Sequence, residues 1–293
     1  MISPLLLKSA VLTDDWGSAL LCDGFGVTFG EDDKPPIISE LISFCGTGKP
    51  QSTVRSGEYA GLSLSKAVER MGRPALGERL KKADKFPFSI KIISPGKDLP
   101  LTVSKSARLF YIIDCVKDSK AALGFKREIK NNELVSAVKL RTAEQLCRFI
   151  TVNKGDCITV PPKTVFSLHA GVTAVEISAA NNVLTADDSD FLKTVSTAKA
   201  AEIKTDDETM LFPFGTVKTV SAKDEFVCEL LSLDGNAGLF DGKSFSAFIV
   251  TDGEAIVSYP SGNISLSCGD CVFLPAGLRI IISGRADILN VHM

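Results

Sequence analysis

Histidine is scarce in this chain of 293 residues, which contains only His169 and His292. Metal sites that need several histidine ligands, beginning with a His-x-His pair, are therefore excluded. The charges nearly cancel, with 33 basic and 35 acidic residues and a net charge of −2. This balance gives no general attraction to nucleic acid or to anionic lipid, so neither is expected as a partner.

Long apolar runs are also missing, since no stretch approaches the roughly 18 to 20 apolar residues of a membrane span. The first eleven residues carry one lysine and a short apolar patch, and Asp14, Asp15 and Trp16 follow soon after. That is too little for a signal peptide. We therefore expect a cytoplasmic protein without a membrane partner.

The eight cysteines are scattered through a large chain that has no secretion signal, which favours reduced thiols over disulfides. One close pair, Cys268-Gly-Asp-Cys271, has the spacing of a redox motif or a zinc knuckle. A zinc site would need a second pair or two histidines nearby, and the sequence has neither there. We interpret this motif as a structural turn.

A repeated motif gives the clearest sign of internal organisation. The sequence Lys-Gly-Asp-Cys-Ile-Thr-Val-Pro-Pro begins at Lys154 and returns as Cys-Gly-Asp-Cys-Val-Phe-Leu-Pro-Ala at Cys268, 114 residues later. Each copy indicates a Gly-Asp turn that leads into a short strand ended by proline. A further strand with a central glycine follows each copy, around Gly171 and Gly284. One unit was used twice.

Many short strands separated by glycine and proline predict an all-β fold, a double-stranded β-helix of the cupin or jelly-roll type. Two barrels in tandem make a bicupin. We predict an N-terminal barrel at 1–193, a connector at 194–210 and a C-terminal barrel at 211–293. Asp252-Gly253 predicts a hairpin turn within the second barrel.

Two segments of the first barrel show helical periodicity and are predicted as helical insertions, at about 63–83 and 132–149. The first ends in a charge cluster of Lys81, Lys82, Asp84 and Lys85, which we interpret as a solvated helix end. Both insertions interrupt strands and do not change the fold class.

Several short motifs, taken in order, resemble the type I mannose-6-phosphate isomerases of the short bacterial kind over nearly the whole chain. The match begins with Trp16-Gly17 and with Ser39-Glu40 and Ser43. It continues through the segments 56–64, 86–93, 110–113, 124–126, 154–161 and 170–172, and ends with Glu176-Ile177. Each motif is weak alone, and the resemblance lies in their shared order and spacing.

The resemblance implies a reversible aldose–ketose isomerisation of a phosphorylated sugar, in which a bound zinc ion stabilises the developing negative charge. It also implies four metal ligands, a Gln and a His on one strand, a Glu on the next, and a second His. Those positions fall on four residues of a different kind, Thr102, Ser104, Arg108 and Phe166. The family's catalytic Arg aligns near Ala186, in a segment without any basic residue.

We therefore expect no metal and no cofactor, because a guanidinium at a ligand position repels a dication. Glu176 is retained as a weak candidate for the catalytic base. The candidate pocket residues are Lys91, Thr102, Ser104, Lys105, Arg108 and Phe166. Arg108 either binds an anionic ligand or pairs with Glu176. Lys91 either lines the pocket or lies solvated at a strand end. His169 is expected to be a hydrogen-bonded histidine at the surface or at the pocket rim, and His292 to be part of the tail.

Three functions stay open from sequence. The first is a divergent isomerase-family protein that has lost zinc-dependent activity and keeps a sugar-binding, regulatory or scaffold role, with a phosphorylated sugar or another small anion as its ligand. The second is a metal-independent isomerase or epimerase that uses Arg108, Lys91 and Glu176. The third is a structural, partner-binding protein whose pocket is filled by Phe166. Whether the chain is an enzyme, and its oligomeric state, are left undecided.

Overall fold

The computed structural model describes residues 2–25, 27, 36–80, 86–179, 183–199, 209–222 and 226–293. The expected charge cluster at 81–85 and part of the expected connector, 200–208, lie outside these ranges. No disulfide joins the eight cysteines, all of which fall within them. Among the described helices, none is long and apolar enough to cross a membrane.

Strands dominate the N-terminal part of the chain. They are β1 (Leu5–Lys8), β2 (Ala10–Ser18), β3 (Ile38–Phe44), β4 (Thr53–Val54), β5 (Ser89–Ile93), β6 (Thr102–Ser104), β7 (Arg108–Cys115), β8 (Lys120–Phe125), β9 (Cys147–Thr151), β10 (Cys157–Val160), β11 (Val165–Leu168), β12 (Val172–Ser178) and β13 (Val183–Thr185). Most of them form two sheets, ordered β10-β7-β12-β5-β3-β2 and β13-β6-β11-β8-β9.

The C-terminal part forms one larger sheet. Its strands are β14 (Thr209–Phe212), β15 (Gly215–Ala222), β16 (Val227–Phe240), β17 (Ser246–Tyr259), β18 (Gly262–Ser267), β19 (Cys271–Leu274) and β20 (Arg279–His292). The sheet order is β14-β15-β16-β20-β17-β19-β1-β4, with β18 paired to β17. Two N-terminal strands thus pair into the C-terminal sheet, and the predicted division at 193 and 211 stays a prediction.

Helices are short and lie between strands. They are α1 (Leu20–Gly24), α2 (Leu64–Met71), α3 (Asn131–Lys139) and α4 (Phe191–Thr194), with 3₁₀ turns at Arg73–Leu76, Glu78–Leu80 and Ala143–Leu146. α2 and α3 lie within the two predicted insertions. The second insertion is shorter than predicted, because β9 begins at Cys147 and the chain is extended from there. The predicted all-β class with small helical insertions is confirmed.

The repeated Gly-Asp motif adopts the same turn in both halves. Gly155 and Gly269 have φ angles of 88° and 87°, in the left-handed region that glycine enters without steric cost. The carboxylate of Asp156 accepts a backbone hydrogen bond from Asn153 at 2.8 Å, and that of Asp270 accepts one from Ser267 at 2.9 Å. The same residue pattern thus closes the same turn twice.

The hairpin predicted at Asp252-Gly253 is wrong, because β17 runs without interruption from Ser246 to Tyr259. The pairing of β17 with β20 shifts register between Val250 and Asp252, and Gly253 has a φ of 75°. A β-carbon at Gly253 would lie 2.2 Å from the carbonyl oxygen of Arg285 on β20. The glycine therefore allows close approach of two long strands.

Six phenylalanines form an aromatic cluster between the N-terminal and C-terminal halves: Phe44, Phe86, Phe88, Phe226, Phe245 and Phe273. Phe44 stacks on Phe245 with ring centroids 5.8 Å apart, and Phe245 lies 5.3 Å from Phe273. The cluster belongs to a core that also buries one face of β5, β7 and β12. The C-terminal half thus covers one face of the sheet that contains β5, β7 and β12.

Candidate functional site

Strand β7 begins with Arg108 and continues with five apolar or aromatic residues, all of them buried. Successive side chains of a strand point to opposite faces. Leu109 and Tyr111 pack into the core shared with the C-terminal half, whereas Phe110 packs into the interior between the two N-terminal sheets. Arg108 lies on the same face as Phe110. The strand is therefore buried on both sides, and its arginine points into the barrel.

Strand register brings four charged side chains together on this interior face. Glu176 on β12 lies opposite Lys91 on β5 and opposite Phe110 on β7. Arg108, two residues before Phe110, is the diagonal neighbour of Glu176. Glu40 on β3 pairs with Ile93, two residues from Lys91.

The four side chains form a continuous chain of ion pairs. Arg108 Nη1 donates to Glu176 Oε1. Glu176 Oε2 lies 3.3 Å from Lys91 Nζ, and Lys91 Nζ donates to Glu40 Oε1 at 2.7 Å. Arg108 is 1% exposed and Glu176 4% exposed. Two cations and two carboxylates are thus held in the barrel with no net charge.

A cavity of about 210 Å³ borders these ion pairs. Its lining residues are Trp16, Glu40, Lys91, Ile93, Leu99, Pro100, Thr102, Arg108, Phe110, Phe166, Ser167, Leu168, Glu176 and Thr185. The space is several times the ~30 Å³ that one water occupies in the liquid and falls below the ~300–1,000 Å³ typical of ligand pockets. It suits a molecule no larger than a monosaccharide.

Aromatic side chains form the apolar wall of the cavity. The Phe166 ring lies 5.5 Å from the Phe110 ring, and the Arg108 guanidinium sits 5.9 Å from the Phe166 centroid. Such a contact between a cation and a ring is attractive and strengthens when water is excluded. Phe166 therefore covers Arg108 while leaving the cavity open beside it.

Trp16 reaches the cavity because Gly17 lets β2 lie close to β3. A β-carbon at Gly17 would be only 2.4 Å from the backbone carbonyl carbon of Ile38. The carbonyl of Trp16 accepts a hydrogen bond from the backbone of Gly96 at 2.8 Å. Trp16 is the only tryptophan of the chain, so its fluorescence reports on this cavity alone.

Burial acts on both cations of the site. It lowers the pKa of the Arg108 guanidinium to about 10, with Glu40 opposing the shift. Burial also lowers the pKa of the Lys91 ammonium, again opposed by the nearby Glu40 carboxylate and reinforced by the positive charge of Arg108. Arg108 stays charged at neutral pH.

The structure brings together five of the seven residues singled out from sequence. Lys91, Thr102, Arg108, Phe166 and Glu176 all line the cavity. Their functional roles stay predictions.

Two predicted pocket residues lie apart from the cavity lining. Ser104 is buried and contacts the Ser106 hydroxyl at 3.3 Å, and Lys105 is exposed on the turn after β6. Sequence reasoning missed Glu40, Trp16 and Thr185 as lining residues. The first two stand in motifs that were noticed, but only the register of β3 against β5 reveals that Glu40 reaches Lys91.

The site does not fit a divalent metal. Both of its carboxylates already pair with Arg108 or Lys91, whose fixed charges repel a dication at this range. Across the part of the chain that the structure describes, no group of three or more His, Cys, Asp or Glu side chains is placed to hold a metal ion.

The two histidines lie away from this cavity. His169 Nε2 is 3.0 Å from Glu144 Oε1, in keeping with the expected hydrogen-bonded histidine. His292 is no loose tail residue, because it closes β20 and its Nε2 lies 3.6 Å from Glu229 Oε2. The Glu229 carboxylate raises the pKa of His292, and His292 lowers the pKa of Glu229.

This pairing predicts a pH-dependent contribution to stability. A raised pKa in the folded state means that His292 stabilises the fold fully below its ordinary pKa of 6.5, and the contribution disappears as the pH rises through the folded value. We expect His292→Gln to lower the free energy of unfolding at pH 6 more than at pH 9, as measured by urea titration. His169→Gln is the matched control. An equal loss from His292→Gln at both pH values would contradict the pairing.

The fold and the cavity define the class: a double-barrel protein of the cupin type with a charged cavity in its N-terminal barrel. No family model matches the chain. The mannose-6-phosphate isomerase ManA of Bacillus subtilis is 26% identical over 99% of this chain and 99% of its own length. The crystal structure of the mannose 6-phosphate isomerase from Bacillus subtilis superposes with a TM-score of 0.87 at 23% identity, covering 100% of both chains.

A zinc-bound mannose 6-phosphate isomerase superposes with a TM-score of 0.81 at 16% identity, over 99% of both chains. At this identity the superposition shows the fold alone. Together with the full-length match in sequence, it shows that the chain is similar to mannose-6-phosphate isomerases over its whole length.

Proposed function

We propose that this chain binds a phosphorylated sugar, or a small anion of similar size, in the N-terminal cavity without zinc and without zinc-dependent isomerase activity. The observation that carries the proposal is the buried chain of ion pairs through Arg108, Glu176, Lys91 and Glu40. It places two cations in the barrel, where a dication would be repelled. The relatives are named for mannose 6-phosphate, which makes that compound the first ligand to test.

The shape and chemistry of the cavity favour a sugar. Trp16 and Phe166 provide flat apolar surfaces for the C–H face of a ring. Thr102 and Thr185 also line the cavity, and their hydroxyl oxygens can accept from a ligand while they donate to the Phe166 carbonyl and the Asp188 carboxylate. A phosphate on the sugar can exchange the carboxylate contacts of Arg108 and Lys91 for its own oxygens, since guanidinium and ammonium groups both bind phosphate. A full exchange costs three internal ion pairs, so we expect moderate affinity.

The metal-independent isomerase is the second candidate, because Arg108, Lys91 and Glu176 do converge on one cavity. Against it, one carboxylate oxygen of Glu176 already pairs with Arg108 and the other with Lys91. A base needs an oxygen within reach of the substrate proton, so these contacts would have to open first. A purely structural role is disfavoured by the open space that remains beside Phe166.

Trp16 fluorescence tests the binding. We expect mannose 6-phosphate to change the emission of the wild-type protein in a saturable way, with a weaker response to inorganic phosphate. Arg108→Met should weaken the binding about tenfold or more, since a charged hydrogen bond to phosphate is worth about 1.5–3 kcal/mol. Arg285→Met is the matched control, because Arg285 is 85% exposed in its side chain on the C-terminal sheet.

The same samples test the chemistry. Conversion of mannose 6-phosphate to fructose 6-phosphate is measured after EDTA treatment and after zinc is added, with elemental analysis of the dialysed protein. We expect no stoichiometric zinc and no zinc-stimulated turnover. Zinc-dependent turnover would overturn the proposal, and turnover that persists in EDTA and is lost in Glu176→Gln would establish the second candidate.

A further inference from the structure

We propose that the C-terminal barrel holds a second ligand pocket, which takes an uncharged polyhydroxylated molecule of about monosaccharide size. The pocket is a cavity of about 280 Å³, close to the lower end of the ~300–1,000 Å³ range of small-molecule sites. Its polar residues are Glu229, Asp241, Ser244, Ser246, Asn290 and His292.

The strands that form this pocket correspond to those of the N-terminal cavity. Asn290 on β20 lies opposite Glu229 on β16 and Phe248 on β17, as Glu176 lies opposite Lys91 and Phe110. The spacing agrees, since Asn290 follows Glu176 by the same 114 residues that separate the repeated turns. The two pockets therefore occupy equivalent places in the two barrels.

The next residue pair along these strands also occupies equivalent positions in the two barrels. Ser246 lies opposite His292 on β20, as Arg108 lies opposite Ser178 on β12. The C-terminal pocket thus has a hydroxyl where the N-terminal cavity has its buried guanidinium. It is equivalent in position and different in charge.

The polar groups of this pocket are only partly used within the protein. Asn290 Nδ2 donates to Glu229 Oε2 at 3.0 Å, which fixes the orientation of the amide. Within the described residues, the buried Asn290 Oδ1 accepts no hydrogen bond. A buried amide oxygen without a donor costs free energy, and a ligand hydroxyl, directly or through one water, would supply that donor.

The charges of the pocket argue against an anionic ligand. Glu229 is held in its ionised form by His292, which lowers the pKa of the carboxylate, and Asp241 adds a second acidic group at the edge. Against these stands one imidazole, already close to Glu229. A phosphate would meet net repulsion, whereas sugar hydroxyls can donate to Glu229 and Asn290 and accept from Ser246.

Apolar side chains also line the pocket. They are Leu239, Phe240, Phe248, Leu278 and Ile280. A carbohydrate ring has polar edges and an apolar C–H face, so a pocket that combines polar groups with aromatic and aliphatic side chains matches its chemistry. An ion or a small polar solute would gain nothing from the apolar part of this lining.

The two histidines provide an internal control for the test. The imidazole signals of the intact wild-type protein are followed by NMR while D-mannose, D-glucose or inorganic phosphate is added, and His169→Gln assigns the two sets of signals. We expect a saturable shift of the His292 signals with at least one sugar. Phosphate should leave them unmoved, and His169 should not respond to the unphosphorylated sugars.

Two variants connect the signal to the pocket. Asn290→Leu should reduce the apparent affinity at least tenfold, and the exposed residue Asn263 on β18 provides the matched control, Asn263→Leu. Leu278→Trp, which fills part of the pocket from its apolar lining, should also weaken binding and serves if Asn290→Leu does not fold. The proposal is overturned if neither sugar shifts His292 saturably, if both histidines shift alike, or if the pocket variants bind as the wild type does.

Discussion

Glu176→Leu should lower the free energy of unfolding by about 3–5 kcal/mol, because it leaves the buried Arg108 and Lys91 with a single carboxylate between them. Arg108 is 1% exposed, so only water held in the adjacent cavity can take the place of the lost carboxylate. The side chains are similar in size, and the effect is therefore electrostatic. Urea-induced unfolding followed by Trp16 fluorescence measures it.

The double variant Arg108→Met with Glu176→Leu separates the pair from its surroundings. It removes one positive and one negative charge together, so we expect much of the lost stability to return, and the double-mutant cycle to give a coupling free energy of more than about 1.5 kcal/mol. Asp234→Leu is the control, since Asp234 pairs with Arg285 at the surface with 71% of its side chain exposed. It should change stability by less than about 1 kcal/mol. Equal effects from Glu176→Leu and Asp234→Leu would refute the buried pair.

The fold could be predicted from the positions of glycine and proline and from the repeated Gly-Asp motif. Gly155 and Gly269 close equivalent turns with the same positive φ, and the prolines after each copy end a short strand. These are local effects of backbone geometry, which the residue type largely decides. The order of strands in a sheet is not local, and nothing in the sequence indicated that β1 would pair with β19.

The error at Asp252-Gly253 has the same origin. The pair is a strong local signal for a hairpin, yet the backbone there pairs with β20. On the other edge of β17, β19 pairs with the residues before it and β18 with the residues after it. These ladders keep β17 extended, and the glycine serves close packing instead of a turn. Tertiary contacts decided the conformation at this position.

The candidate site was predictable to the extent that it follows strand alternation. Arg108, Phe110 and Glu176 face inward because neighbouring apolar residues must face the opposite core. Glu40 was missed as a partner of Lys91, since that contact depends on the register of β3 against β5, including a shift between Ile42 and Phe44. A register shift moves side chains relative to their neighbours and leaves no mark in composition.

Phe273→Ala should destabilise the protein by about 3–5 kcal/mol, because it opens a cavity in the aromatic cluster between the two halves. Phe273 is 0% exposed, with its ring 5.3 Å from that of Phe245 and 6.5 Å from that of Phe44. Phe212→Ala is the matched control, since Phe212 is 40% exposed and removing it leaves no enclosed void.

The aromatic cluster also bears on the stability of the N-terminal cavity. Phe44 belongs to β3, the strand that carries Glu40, and the same core covers the outer face of β5, β7 and β12. If this core joins the halves into one cooperative unit, then Trp16 fluorescence and the His292 NMR signals will report the same urea midpoint in the wild type and in Phe273→Ala. Separate midpoints for the two probes would mean that each half folds by itself and that the N-terminal cavity does not depend on the C-terminal barrel for its stability.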